Sequence, residues 1–320
     1  MSEKKKIVVI GGGTGIPVVL SSLRHADVDL TAIVTVADDG GSSGKLRSAI
    51  DIAPPGDLRN VLIAMSDSPK FYQDVFQYRF SDADGALAGH PLGNLIIAGI
   101  SEMRGSTYNA IQMLAEFFHV QGHIFPAAEK ALTLHAYFKD GHEVVGESHI
   151  AGYPGIIDRV MVTEGNRDEM AHASRRVVDA IMAADTIVLG PGSLFTSILP
   201  NLVIPEIGDA LVKTPAKIVY VCNLMTQRGE TEHFTDAMHV EALHRHLAKR
   251  FIDTVLVNIE PVPASYMNTN KFDEYLVQVE HDYAGLLAED VNVISANFLK
   301  LRDGGAFHDG DALAAEILRA

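Results

Sequence analysis

Lys6-Ile7-Val8-Val9-Ile10-Gly11-Gly12-Gly13-Thr14-Gly15 is a β-branched run that empties into four glycines. The same device returns at Asp185-Thr186-Ile187-Val188-Leu189-Gly190-Pro191-Gly192-Ser193-Leu194-Phe195-Thr196-Ser197. Each reads as a short strand, a glycine loop and a helix start. An α/β protein presents backbone N–H groups to a phosphate in this way. Two such loops, with a third polar loop between them, point to a nucleotide-type ligand.

The first loop is a variant of the dinucleotide fingerprint. Gly11 and Gly13 fit G-x-G-x-x-G, but Ile16 stands where the third glycine belongs. Four glycines exceed the needs of a tight turn, so contact with a ligand over Gly11, Gly12, Gly13, Thr14 and Gly15 is expected. The second loop, with Gly190, Gly192, Ser193 and Leu194, resembles a phosphate cup carrying three hydroxyl residues. It lacks the G-x-S-x-G spacing of a nucleophile elbow.

Between them, Val36-Ala37-Asp38-Asp39-Gly40-Gly41-Ser42-Ser43-Gly44-Lys45-Leu46-Arg47 follows the second strand. A carboxylate there is where a Rossmann-type protein grips a ribose. Asp38 and Asp39 could also help hold Mg²⁺ on a diphosphate. Ser42, Ser43, Lys45 and Arg47 read as a phosphate cradle. The run is not a P-loop, because Asp39 and Leu46 occupy positions that would need Gly and Ser or Thr.

Pro54-Pro55-Gly56-Asp57-Leu58-Arg59-Asn60 opens a helix. Asp57 is an expected N-cap. Arg59 and Asn60 lie in the first turn, where a positive charge opposes the helix dipole and a bound anion would offset that cost. Gly89-His90-Pro91-Leu92-Gly93-Asn94-Leu95 repeats the arrangement, with His90 ordering a loop. Asn223-Leu224-Met225-Thr226-Gln227-Arg228-Gly229-Glu230-Thr231 follows a strand, and Asn223, Thr226 and Gln227 are candidates to read a base or sugar.

Strand-like and helix-like runs alternate along the chain. Strands are expected at residues 6–10, 30–36, 186–189, 217–222, 254–258 and 292–294, and helices at 17–25, 57–66 and 311–318. Residues 131–138 and 143–150 read as two strands around Asp140-Gly141, a hairpin signal. The expected fold is α/β: a Rossmann-like, mostly parallel sheet with helices on both faces and an added antiparallel hairpin near 131–150. Residues 1–320 are expected to form a single domain.

Hydrophobic residues make up 47% and charged residues 21% of the chain, an ordinary globular balance. Net charge is −15, from 26 basic and 41 acidic residues, which argues against a nucleic-acid surface. The apolar run after Met1-Ser2-Glu3-Lys4-Lys5 is too short for a signal peptide, and no stretch reaches membrane-span length. A cytoplasmic location is therefore expected. Cys222 excludes an intrachain disulfide, as the sole cysteine, and reads as a small buried hydrophobe. With no cysteine cluster and no H-E-x-x-H, the 14 histidines make no zinc motif.

As a set, Gly11-Gly12-Gly13-Thr14-Gly15, Ala37 to Gly44, Pro55 to Asn60, Gly93-Asn94-Leu95, Gly190 to Leu194 and Asn223 to Gln227 resemble the bacterial YvcK-type gluconeogenesis factors. These share a superfamily with the 2-phospho-L-lactate transferases of coenzyme F420 biosynthesis. The resemblance covers nearly the whole chain and is weakest after about residue 265. It implies a nucleotide cleft, UDP-sugars as ligands, and a link to gluconeogenic growth and cell-wall shape. It also implies a regulatory protein partner, no required cofactor and no established catalysis. Homo-oligomers are compatible with it. In the transferase branch, acidic residues hold a divalent metal while a phospholactyl group moves to a deazaflavin. On that alternative, Asp38, Asp39 and Asp57 would hold Mg²⁺ around the diphosphate. An NAD oxidoreductase is the weaker third reading, given Ile16.

At the far edge of the cleft, Tyr266 follows the 254–258 strand and Arg302 the 292–294 strand. Both are expected near strand carboxyl ends, Tyr266 to stack on a base or sugar and Arg302 to grip a phosphate.

Overall fold

The computed structural model of the chain describes residues 4–50, 52–165, 169–267 and 275–320. At its centre is a parallel sheet of seven strands. β1 (Lys5–Gly11), β2 (Val28–Val34) and β3 (His123–Pro126) run outward on one side. β4 (Leu132–Phe138), β5 (Glu143–Val145) and β6 (Ile157–Glu164) leave the sheet and form an antiparallel sheet of their own, ordered β5-β4-β6. The chain then returns through β7 (Thr186–Leu189), β8 (Lys217–Val221), β9 (Met225–Gln227), β10 (Thr254–Asn258), β11 (Tyr275–Gln278) and β12 (Asn292–Ala296). The central order is β12-β10-β8-β7-β1-β2-β3, with every pairing parallel. β9 pairs with β11, and β13 (Leu299–Arg302) with β14 (Gly305–His308), as antiparallel ribbons.

Helices flank the sheet. The first half supplies α1 (Ile16–Leu23), α2 (Gly41–Ile50), α3 (Pro55–Ala64), α4 (Lys70–Gln77), α5 (Leu92–Arg104) and α6 (Thr107–Phe117). After them come α7 (Glu147–Ile150), α8 (Arg175–Ala183), α9 (Leu199–Leu202) and α10 (Pro205–Lys213). α11 (Asp236–His246), α12 (Tyr283–Ala288) and α13 (Gly310–Arg319) complete the set. α1 packs on α3 and α13, and α8 on α10. Covered strands have no solvent face, so Ile7, Val8, Val9 and Ile10 are all buried, which is why β1 reads as a continuous apolar run without alternation. Among the described residues, no single helix is long and apolar enough to cross a membrane.

Three local expectations are corrected. The polar run from residue 36 to 47 is not loop throughout: α2 begins at Gly41, so Ser42, Ser43, Lys45 and Arg47 are helical. Its contacts with α3 and α5 outweigh the poor intrinsic propensity of Gly41-Ser42-Ser43-Gly44. Residues 143–150 are not one strand. β5 stops at Val145, Gly146 turns at φ +96, and the single turn of α7 follows. The antiparallel element is a three-stranded sheet rather than a hairpin, because β6 also pairs with β4.

β1 is the strand where the connections change direction. The chain leaves it toward β2 on one side, and β7 returns on the other. Ligands of open α/β sheets bind outside the carboxyl ends at such a switch point. Here the loops after β1 and β7 touch: Gly190 N–H donates to the Ile10 carbonyl (2.9 Å), and any Cβ on Gly15 would run into the Pro191 carbonyl oxygen. Gly15→Ala must therefore part the two loops. We expect it to lower stability by about 1–3 kcal/mol, read as a lower urea midpoint at unchanged slope. An unchanged midpoint would mean that the loops move apart freely.

Candidate functional site

Beyond these strand ends lies a cleft of about 440 Å³. One end is built from backbone. Gly12, Gly13, Thr14 and Gly15 line it from the first loop, and Pro191, Gly192 and Ser193 from the second. The first loop runs into α1, whose leading N–H groups have no intrahelical acceptor. Gly11 and Gly190 close the ends of their strands rather than line the cleft. Asn223 reaches in from the loop after β8, and Gln227 from the end of β9. The Asn223 Oδ1 accepts from Gly192 N–H (3.4 Å) and the Gln227 Nε2 donates to Ser193 Oγ (2.8 Å). The Ser193 hydroxyl thus meets an amide, which cannot take its proton, and not a base. Leu194 is fully buried beneath its loop.

The floor is acidic. The Asp57 carboxylate accepts from Gly13 N–H (2.6 Å), so a side chain of α3 already occupies one anion-binding donor of the first loop. This overturns its expected role as an N-cap: Pro54 holds that position, and no side chain caps the helix. Enclosure pushes the Asp57 carboxyl up to about 6, against the Gly13 hydrogen bond, with the Asp38 charge adding to the rise. Glu147, at the start of α7, is pushed well above the ordinary carboxylate range, first by burial and then by Asp38, Asp57 and Glu230. Glu230 accepts from Thr196 Oγ1 (3.2 Å).

The other end of the cleft is apolar and aromatic. Leu224 and Met225 pack with Val262 and Tyr266, Ala306 of β14 packs on the same cluster, and its neighbour Phe307 lines the cleft. Arg302 does not line the cleft. Its guanidinium lies over the Phe307 ring, 4.5 Å from the centroid. His308 Nε2 donates to the Cys222 carbonyl (3.1 Å), and enclosure lowers its pKa to about 4, so it lines the cleft as a neutral ring. Cys222 itself is buried, as its sequence context implies.

Several expected contact residues stand behind the cleft instead. Arg59 is buried, and its guanidinium donates to Asn94 Oδ1 (2.6 Å) and Asn60 Oδ1 (2.9 Å). Asn94 Nδ2 donates to Ser42 Oγ (3.0 Å), and the Ser42 hydroxyl shares a hydrogen bond with His90 Nδ1 (2.8 Å). This chain ties α2, α3 and α5 together. Burial lowers Arg59 to about 10, so it stays cationic. Ser43 accepts from Gly56 N–H, Arg47 donates to the Leu132 carbonyl and Thr133, and Thr226 exchanges bonds with Val277 of β11. Lys45 is exposed on α2. Apart from Lys45, these side chains are occupied by the scaffold because their segments fold into helices or ribbons rather than open loops.

The carboxylates expected to hold Mg²⁺ do not converge as a set. Asp39 accepts from Ser148 N–H (2.9 Å), Asp38 from Gly40 N–H (2.9 Å), and Asp57 from Gly13. Among the described residues, no group of three or more His, Cys, Asp or Glu side chains is placed to hold a metal ion. As placed, the three carboxylates form no metal cage by themselves.

Sequence reasoning missed Glu147, Ser148, Arg228, Glu230 and Phe307 as lining residues. Asp303-Gly304 is a hairpin signal that would have placed Phe307 on a ribbon. Glu147 had no comparable signal, because it reaches the cleft only through the placement of the small sheet.

The chain belongs to the CofD family, whose model, described as 2-phospho-L-lactate transferase CofD, matches residues 7–299. Within it, the chain is 72% identical to the "Putative gluconeogenesis factor" of Lactococcus lactis, over 98% of this chain and 96% of that protein. It is 45% identical to the "Gluconeogenesis factor" of Bacillus subtilis, over 99% and 98%. A crystal structure of a Bacillus halodurans protein superposes at a TM-score of 0.94, with 40% identity, covering 99% of this chain and 100% of that one.

The raised Asp57 carboxyl has a defined pH signature. Its folded-state value lies above the unfolded one, so the stability it contributes is complete below about pH 4 and is lost as pH rises through about 6. Asp57→Asn keeps the acceptor for Gly13 and removes the charge. At pH 7 we expect the variant to gain on the order of 2 kcal/mol over the wild type, with a flatter Tm profile between pH 4 and 7. A wild-type profile that rises through this window would refute the assignment.

Proposed function

We propose that the cleft binds a nucleoside diphosphate sugar, a UDP-sugar on the family resemblance. On this reading the protein is a ligand-dependent regulator of carbon metabolism and cell-wall shape. One observation carries the proposal: two glycine loops meet at the switch point at one end of the cleft, and Tyr266, Phe307 and Met225 stand at the other. Such a cleft suits a ligand with phosphates at one end and a flat ring at the other. The names of the gluconeogenesis factors support the regulatory setting.

The reading as a regulator rather than an enzyme rests on what meets the hydroxyl groups. Ser193 of the second glycine loop faces the Gln227 amide, and His308 is neutral and tied to a carbonyl. General-base activation of a hydroxyl needs a proton acceptor of suitable pKa within hydrogen-bond reach. The family match to the 2-phospho-L-lactate transferases favours the alternative of a Mg²⁺-dependent phosphotransferase. Turnover of a lactyl-diphospho-nucleotide with a deazaflavin acceptor would establish that alternative.

Calorimetry with UDP-N-acetylglucosamine, GDP and NAD tests the main reading. We expect the UDP-sugar to bind most tightly, and no binding of any of the three at millimolar concentration would refute a nucleotide site. Tyr266→Ala removes a ring from the cleft, and Arg302→Ala removes the cation over Phe307. Each is expected to weaken binding about tenfold, roughly 1.4 kcal/mol, with little change in Tm. Unchanged affinity in both would place the base or sugar elsewhere.

A further inference from the structure

We infer that Arg228, at the mouth of the cleft, grips the phosphates of the bound ligand. The inference rests on the reading of the cleft as a nucleoside diphosphate site and assigns that site a cation. The need for one follows from the floor. Asp38, Glu147 and Glu230 line the cleft and Asp57 lies behind its first loop, so a diphosphate entering there meets carboxylates. Backbone N–H groups offset part of that repulsion, but one of them, Gly13, already serves Asp57. Among the described residues lining the cleft, Arg228 is the only Lys or Arg.

Its backbone is fixed on both sides. Gln227, on one side, is bonded to Ser193 of the second glycine loop. Gly229, on the other, sits at φ +72, and a Cβ there would meet the Ala151 carbonyl at 2.5 Å, at the end of α7. Gly229 N–H donates to Glu232 Oε1 (3.0 Å), and Thr231 N–H to the Gln227 carbonyl (2.9 Å). The turn therefore bridges the phosphate-type loop and α7, with Arg228 at its apex. The Arg228 side chain is exposed, and among the described residues no hydrogen bond or ion pair engages its guanidinium. A planar guanidinium carried on a fixed turn can take two phosphate oxygens at once, with little backbone freedom to lose. A lysine in its place supplies the charge without the fork.

The test compares wild type, Arg228→Ala and Arg228→Lys by calorimetry with UDP-N-acetylglucosamine, at low and at high salt. Arg228→Ala is expected to bind tenfold or more weakly, with an unchanged Tm and a flatter dependence on salt, because one phosphate contact is gone. Arg228→Lys should recover part of the affinity and the steeper salt dependence. Equal affinity in wild type and Arg228→Ala would overturn the inference and leave the nucleotide reading standing. So would a loss of affinity with no change in salt dependence, since that would mark a residue that only shapes the cleft. Absence of binding by the wild type would instead overturn the nucleotide reading, and this inference with it.

Discussion

The close approach of two glycine loops at the edge of β1 is the constraint on which the rest of this structure depends. A parallel sheet that changes winding direction at β1 must bring the chain out of β1 and out of β7 side by side. Where the two exits meet there is no room for a side chain on Gly15, which faces the Pro191 carbonyl. Much of the surface there is made of peptide groups, to which Thr14 and Ser193 add hydroxyls. The cleft's polar character at this end is thus a consequence of how the sheet is wound.

A surface of N–H groups attracts negative charge, and the protein supplies some of its own. Asp57 comes from the first turn of α3, where the helix dipole favours a carboxylate, and turns it onto Gly13. The gain from this hydrogen bond does not compensate for lost hydration, which is why the carboxyl stays above its ordinary value. Glu147 arrives from an unrelated direction, on a helical turn carried by the small antiparallel sheet, and is raised for the same reason. Both carboxyls, beside a glycine-lined surface, take up a proton more readily than an ordinary carboxylate. Proton uptake reduces the repulsion that an incoming anion meets.

The scaffold around the cleft explains why so many polar residues lie close to it without lining it. The Arg59–Asn94–Ser42–His90 chain is a polar network in which each side chain is hydrogen-bonded to the next. Buried polar groups are costly unless paired in this way. The network holds α2, α3 and α5 in register, and α2 in turn sets Asp38 and Asp39 at its entrance. Asp39 continues outward to Ser148 and links α2 to α7. The two sides of the cleft floor are thereby joined through a carboxylate, that of Asp39.

Much of the architecture was determined by the sequence alone. Continuous apolar strands ending in glycine, alternating with helical runs, specify a parallel sheet with covered faces, and both glycine loops fall where such strands end. Gly12, Thr14, Asp38, Ser193, Gln227 and Tyr266 were legible as cleft residues because each lies just beyond a strand's carboxyl end or in the segment that leads from it. Only the tertiary structure decided which polar side chains face the cleft and which are occupied by the scaffold. Arg47, Arg59 and Asn94 have the composition of a phosphate site, but partners distant in sequence bind them first. Glu147 enters the cleft from a helical turn and Phe307 from a ribbon, and the position of both depends on long-range packing. Local sequence fixes what a segment can form, whereas a side chain's direction and partner depend on groups that meet only when the whole core closes.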